Sequence, residues 1–451
     1  MIQPERIQPL NTKGLARGAY VLYWMQASQR AELNHALEHA ARRANTLGQP
    51  LVAAFGVTDR YAEANERHYA FMLEGLRETQ NTLRRRGVQL VVRRGSPELV
   101  AGELAGEASL VVTDRGYTRV QRAWRRNLAR SAPCRVVQVE TDVVVPVEVA
   151  SDKNEYAAAT LRTKIHRHLE RFLAPLRRTR LDRGSLDLRL DGMDLQSVGA
   201  VLDSLEIDRS AGRVKAFVGG TSHARRRLRE FLSGALDAYA TRSNDPSGHI
   251  RSNLSAYLHF GQISPVEIAR RVRAASASEA SRDAFCEQLI VRRELSANYV
   301  RYCDRYASYR ALPSWARATL RAHRGDRRQT VYTAAQLERA ETHDPYWNAA
   351  MREMLATGAM HNYMRMYWGK KILEWTRSPA WAFRLALRLN NRYFLDGRGP
   401  NAFNNVAWCF GLHDRPWGER ATFGMVRYMN AAGLERKFAI ADYVRWVESL
   451  A

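Results

Sequence analysis

Three stretches of the chain carry side chains whose types and spacing suit chemistry better than packing. The densest is Thr357 to Trp375, TGAMHNYMRMYWGKKILEW. On a helix, Arg365 falls three residues before Trp368 and Trp375 seven after it, so the two tryptophans share a face. A stripe of Met and aromatic residues at this spacing is usually core. Core packing does not account for Arg365 and Asn362 among such large apolar groups. A buried guanidinium needs a carboxylate, and the candidate is Asp396. It lies in Asn390 to Trp417, NNRYFLDGRGPNAFNNVAWCFGLHDRPW, a segment too polar for a hydrophobic plug and too aromatic for a linker. With Trp408 and Trp417 among its Asn, Gly and Asp residues, it reads as the wall of a ligand pocket. The third stretch, Ser252-Asn253-Leu254-Ser255, opens an amphipathic run. Hydroxyls and free backbone amides at such a point form a seat for a diphosphate, although a plain helix cap is the commoner meaning of the tetrapeptide alone.

The elements that must position these residues follow from periodicity. AYVLYW (19–24), PLVAAFG (50–56), VQLVVR (88–93), SLVVTD (109–114) and RVVQVE (135–140) are short runs rich in Val and Leu. Between them, 28–47 and 63–86 show helical spacing. The alternation predicts a doubly wound α/β domain over 18–149 with a parallel sheet covered on both faces. No GxGxxG follows the first strand, which argues against a dinucleotide held in the Rossmann manner. Residues 150–215 read as a connector with one helix, 154–175, wrapping the surface. From 216 to 451 nearly everything has helical spacing, which predicts an all-α second domain; it holds eight of the ten tryptophans.

Composition narrows the partners. The chain has 70 Lys and Arg against 46 Asp and Glu, a formal charge of +24, and a protein that basic attracts polyanions over long range. A solvated basic surface is the plainer meaning of the same count. The four cysteines are scattered without a CxxC pair, which argues against a disulfide scaffold or zinc site and suits a reducing cytoplasm. No apolar run long enough for a signal peptide or membrane span is present. A cytoplasmic monomer without metal is the expectation.

Taken together and in order, these segments resemble the photolyase/cryptochrome superfamily, and in detail its class II cyclobutane pyrimidine dimer photolyases. The resemblance is carried by YWMQASQR (23–30), SDKNEYAA (151–158), SNLSAYLHFGQIS (252–264), IVRRELSANY (290–299), THDPYWNAA (342–350), MHNYMRMYWGKKILEW (360–375), LDGRGPN (395–401) and HDRPW (413–417). It spans about residues 8 to 447. It implies an antenna-type α/β domain and a helical domain holding FAD in a U shape. It also implies light-driven repair, in which reduced flavin passes an electron to a flipped-out pyrimidine dimer in UV-damaged DNA and recovers it once the ring has split. Carried over residue by residue, Tyr239, Ser252, Asn253, Leu254 and Ser255 would hold the phosphates and ribityl chain, with Asn362 also on the cofactor. Asn390 would face flavin N5. Arg365 and Asp396 would form the ion pair beside the ring, and Asp414 and Arg415 a supporting polar pair. Met366 and Trp408 would wall the lesion pocket, with Arg292 also on the substrate. Trp368 and Trp347 would relay electrons to oxidised flavin; Trp375 would be a third member or plain core.

One departure stands out. The family usually has two glutamates where this chain has Glu287-Gln288, one of them bonding the lesion; the lesion-contacting position aligns with Gln288, unless a local shift turns Glu287 to the lesion instead. A glutamine donates and accepts but supplies neither a proton nor a carboxylate. The stretch Gly248 to Arg251 and Ala256 are also unusual. An antenna chromophore of deazaflavin type is compatible with the resemblance, and so is an empty antenna site. A cryptochrome-like flavin photosensor without repair activity is the alternative function.

Overall fold

A computed structural model describes residues 2–450. Its strands are β1 (Ile7–Pro9), β2 (Tyr20–Trp24), β3 (Leu51–Val57), β4 (Gln89–Arg94), β5 (Ala108–Asp114) and β6 (Arg135–Val139). They form one sheet in the order β1-β6-β5-β2-β3-β4. The last five pair in parallel, within one residue of the expected bounds. Every residue of β2, β3 and β5 is buried, because helices cover both faces. His35–Thr46 and Glu66–Arg84 lie on one face, and Pro97–Ala105 and Arg119–Ser131 on the other. The expected start at residue 18 is too late: β1 pairs antiparallel with β6, Ile7 opposite Val139. Three residues ending in proline carry too little periodicity to be read.

The connector does structural work on the sheet. Its helix, Ala158–Phe172, is shorter than expected, and a second one, Val198–Asp203, follows. Between them the chain runs beside β4: Gln89 N–H donates to Ser185 Oγ at 2.8 Å, and Met193 N–H to the Val92 carbonyl at 2.6 Å. An open strand edge is thereby covered. Helices then run from Thr221–Gly234 to Ile440–Glu448, with no strand after β6 among the described residues. The architecture is the α/β domain plus helical domain that the periodicity predicts.

Polar contacts lock the two parts together. Arg30 pairs with Asp142 at 2.7 Å and donates to the Gly261 carbonyl at 2.7 Å. Arg67 reaches the Tyr393 carbonyl at 3.1 Å, and Glu294 of the helical domain accepts the Val145 amide at 3.2 Å. Arg6 knits the connector: it donates to the carbonyls of Glu140, Val143 and Val144 at 3.1, 3.2 and 2.6 Å and stacks on Phe172. Burial lowers its pKa to about 10, so it stays charged at neutral pH. Arg6→Met keeps the bulk but strips three buried carbonyls of their donor. We expect a loss of about 3 kcal/mol in urea-unfolding experiments.

Candidate functional site

The sheet order reverses between β2 and β5, and ligands of open α/β sheets gather at the carboxyl ends of strands at such a point. Here Met25 and Gln26 after β2, Val57 ending β3, and Arg115 and Tyr117 after β5 face a cavity of about 340 Å³, within the roughly 300–1,000 Å³ of ligand pockets. The same cavity continues into the helical domain, where Tyr239, Ser252, Leu254, Ser255, Gln288 and Asp396 line it. Tyr239 is held edge-on by Phe231 and Phe285, and burial raises its phenol pKa to about 12.

Ser252 to Ser255 owe their placement to a backbone turn more than to a long helix. The helix they open, Ser255–His259, is barely more than one turn. Asn253 takes φ +54°, a left-handed conformation asparagine tolerates; it is absent from the lining, while its neighbours on both sides face the cavity. The unusual stretch before it is anchored elsewhere: Arg251 pairs with Glu353 and stacks over Trp446.

Arg365 and Asp396 meet, Nη2 to Oδ1 at 3.1 Å, with about a tenth of each side chain exposed. Phe394 lies 3.8 Å beneath the guanidinium. Asp396 faces the large cavity; Arg365 sits behind it, with Asn390 and Trp368, on a hollow of about 10 Å³, no larger than one water. Asn390 is 1% exposed, and its Oδ1 has no partner. Its Nδ2 donates to Asn391 Oδ1 at 3.2 Å. Buried amide oxygens are rarely left unsatisfied, so this one is a free acceptor beside the ion pair.

Aromatic side chains lead away from that corner. Trp368 stands edge-on to Phe394 at 6.3 Å. Its carbonyl accepts Trp347 Nε1 at 3.0 Å. The Trp347 ring lies 5.5 Å from Trp375, and Trp375 lies 5.4 Å from the partly exposed Tyr332. Trp375 is therefore both core and the next ring in line.

Several expected site residues stand apart from the cavity. Asn362, read as a polar group among apolar neighbours, is the exposed first residue of the helix Asn362–Glu374. Asp414 and Arg415 form no ion pair with each other. Asp414 Oδ1 accepts the Arg415 amide at 2.9 Å and Trp417 Nε1 at 3.2 Å, and the exposed Arg415 guanidinium stacks on Trp417. Pro416 holds this segment in a surface loop away from the lining. Met366 and Trp408 are partly exposed and also outside the lining. The Trp408 ring has Lys370 Nζ at 5.1 Å and Arg427 at 5.8 Å. Lys370 is fully buried and donates to the Cys409 carbonyl, and burial brings its pKa down to about 8. Glu287 and Arg292 bond to each other at 3.2 Å; neither lines the cavity.

Sequence reasoning missed the centre of the lining. Arg398, with φ +66°, is 5% exposed and donates to the Asn391 carbonyl at 2.6 Å. Burial lowers its pKa to about 10. His259 and His68 sit near it, both pushed by burial toward the neutral form. Arg398 stands two residues after Asp396 in LDGRGPN and was the available signal; the histidines lie too far apart in sequence to suggest a cluster.

Comparison with known proteins decides the family. A deoxyribodipyrimidine photo-lyase of Methanothermobacter thermautotrophicus is 51% identical over 454 residues, covering all of this chain and 99% of that one. This chain belongs to the DNA photolyase family. The DNA photolyase family model matches residues 21–180. Among solved structures, a class III photolyase from Agrobacterium tumefaciens superposes with TM-score 0.75 at 18% identity, covering 96% of this chain and 87% of that one. An archaeal photolyase from Sulfolobus tokodaii, described with two FAD molecules, superposes with TM-score 0.70 at 17% identity over 94% and 89%. At those identities the structures attest the family fold.

Removing one member of the Arg365–Asp396 pair leaves the other buried and uncompensated. Asp396→Asn should cost about 3 kcal/mol in urea unfolding, and Arg365→Met together with Asp396→Leu should cost less than that single change.

Proposed function

We propose that this photolyase is a light-driven DNA-repair enzyme of class II type that splits cyclobutane pyrimidine dimers with FAD as its cofactor. The observation that carries the cofactor assignment is the polar corner of Arg365, Asp396 and Asn390. It combines a cation, its carboxylate and a buried amide oxygen without a partner. Of these, Asp396 lines the cavity, where its carboxylate suits the donor groups on a flavin's edge, while Arg365 behind it supplies the positive charge that a reduced flavin favours. When bound in its reduced form, FAD supplies the electron that opens the cyclobutane ring and takes it back afterwards.

The chain's own residues do the rest. Arg365 favours negative charge beside it, and Asp396 keeps that guanidinium in place and limits its excess charge. Asn390 donates or accepts without changing charge. The backbone turn at Asn253 leaves Ser252 and Ser255 in the cavity lining, where their hydroxyls suit a diphosphate. Trp368, Trp347 and Trp375 form an aromatic path from the ion pair toward the surface, a route by which oxidised cofactor is reduced in light. Met366 and Trp408 would touch the flipped lesion, Trp408 pressed between cations that also attract phosphates. Their distance from the cavity lining fits a second contact area outside the cofactor's own space. In the α/β half, Met25, Phe55, Tyr61 and Trp124 offer an aromatic arm of the cavity. That arm suits a planar second chromophore of deazaflavin type.

The decisive experiment is irradiation of flavin-loaded protein with dimer-containing oligonucleotide under blue light. Repair predicts light-dependent loss of dimer. Intact dimer together with normal flavin photoreduction would instead identify a photosensor. Within the same assay, Trp368→Phe should abolish photoreduction, whereas chemically pre-reduced variant should still split dimers. Lost repair with retained photoreduction would contradict the relay.

A further inference from the structure

The helix Asn362–Glu374 crosses the helix Pro400–Cys409 at a close approach that glycine permits. A Cβ added at Gly369 would come within 2.6 Å of Cys409 Sγ. On each helix the residue just before this crossing is a tryptophan, Trp368 on one and Trp408 on the other. The small hollow at the ion pair is lined from both helices, by Arg365, Trp368 and Gly369 on one and by Asn405 and Cys409 on the other. Two indoles therefore stand near the corner assigned to the flavin, and light-excited oxidised flavin could draw an electron from either.

Their electrostatic surroundings differ. Lys370, the next residue after the crossing, is 0% exposed; its Nζ donates to the Cys409 carbonyl at 2.6 Å and lies 5.1 Å from the centre of the Trp408 ring. Arg427 lies 5.8 Å from the same ring. Neither cation has a carboxylate in ion-pair range among the described residues, and Asp414 acts on Lys370 only from farther off. Over Trp368 and Trp347 no cation lies among the described residues. Lys371 stands 5.5 Å from Trp375, but Glu374 pairs with it at 2.8 Å. Trp368 also leads on to Trp347 and Trp375, whereas Trp408 stacks on no other aromatic ring among the described residues.

An indole that gives up an electron becomes a cation. Beside an unpaired ammonium and a guanidinium that new charge is repelled, strongly where water is excluded. The attraction that holds both cations to the neutral ring is lost in the same event. Oxidation of Trp408 is thus disfavoured relative to Trp368. It would also be futile: with no further ring to receive the hole, the electron returns from flavin to Trp408 and nothing is reduced.

We propose that Lys370, helped by Arg427, closes Trp408 to electron transfer and so directs light-driven reduction of the flavin through Trp368. The inference rests on the flavin assignment above. Lys370 is a positioning residue, acting through the indole. In the suppressed step one electron leaves Trp408 for the excited flavin and comes back, with no proton moved. In the productive step the electron from Trp368 stays on the flavin while the hole passes to Trp347 and Trp375.

The test is the fluorescence lifetime of oxidised flavin in loaded protein without DNA, at neutral pH, below the Lys370 pKa of about 8. All variants carry Trp368→Phe, and the share of quenching due to Trp408 is the decay rate lost on adding Trp408→Phe. Lys370→Gln, which keeps a donor for the Cys409 carbonyl, should raise that share at least about tenfold, a modest response to removing a charge a few ångströms away. Arg427→Gln, at a partly exposed position, should raise it less and serves if the buried change unfolds the protein. Flavin-free protein gives an independent reading. Azide radicals, which take one electron from indoles, should oxidise Trp408 more in Lys370→Gln than in wild type, judged by peptide mass with Trp417 as reference. A Trp408 share unchanged in both variants, or already large with both cations present, overturns the proposal. If Trp368→Phe alone fails to lengthen the lifetime, the flavin assignment beneath it falls instead.

Discussion

A guanidinium taken out of water loses several kcal/mol of hydration and recovers it only if a carboxylate and further donors are built around it. Arg365 is in that position, on a helix of large aromatic residues with its charge directed at Asp396. The two residues come from different segments, so the ion pair forms only when the helix Asn362–Glu374 and the loop after Pro379–Tyr393 are docked. Asn390 ends up beside them with its oxygen unused. The polar corner and the start of the aromatic path thus meet at one ion pair, which forms where these two segments dock.

The same logic operates between domains. The sheet's reversal point leaves a crevice, and on its own that crevice would open to water. Arg30, Arg67 and Glu294 tie the helical domain to the α/β domain by bonding to backbone groups across the boundary. Each is buried or nearly so, and each satisfies carbonyls or amides that docking would otherwise orphan. The cavity is accordingly shared, with strand ends on one side and helix ends on the other. Arg398 stands within it as a cation without a carboxylate in ion-pair range among the described residues.

Much of this was legible in advance. The five parallel strands lay where Val- and Leu-rich runs stood, because a strand buried on both faces must be apolar throughout. Arg365 and Asp396 were paired from the cost of burying a charge alone. Others were misread for equally physical reasons. Asn362 looked buried because its neighbours in sequence are, yet helical neighbours point to different sides. The resemblance implied a polar pair of Asp414 and Arg415 near the cofactor, but the carboxylate accepts the Arg415 backbone amide and Trp417 Nε1 in a surface loop outside the cavity lining.

Local rules thus determined, from the sequence by itself, the sheet, the helical half, the aromatic stripe and the identity of the buried ion pair. Period, composition and the penalty for an unpaired charge all act over a few residues. Which of Glu287 and Gln288 faces the cavity was decided by tertiary structure alone. Arg162, more than a hundred positions away in the chain, draws the glutamate aside, and a π-helical turn leaves the glutamine at the mouth. The grouping of Arg398, His68 and His259 was likewise settled there, since contacts between distant segments depend on how whole elements dock.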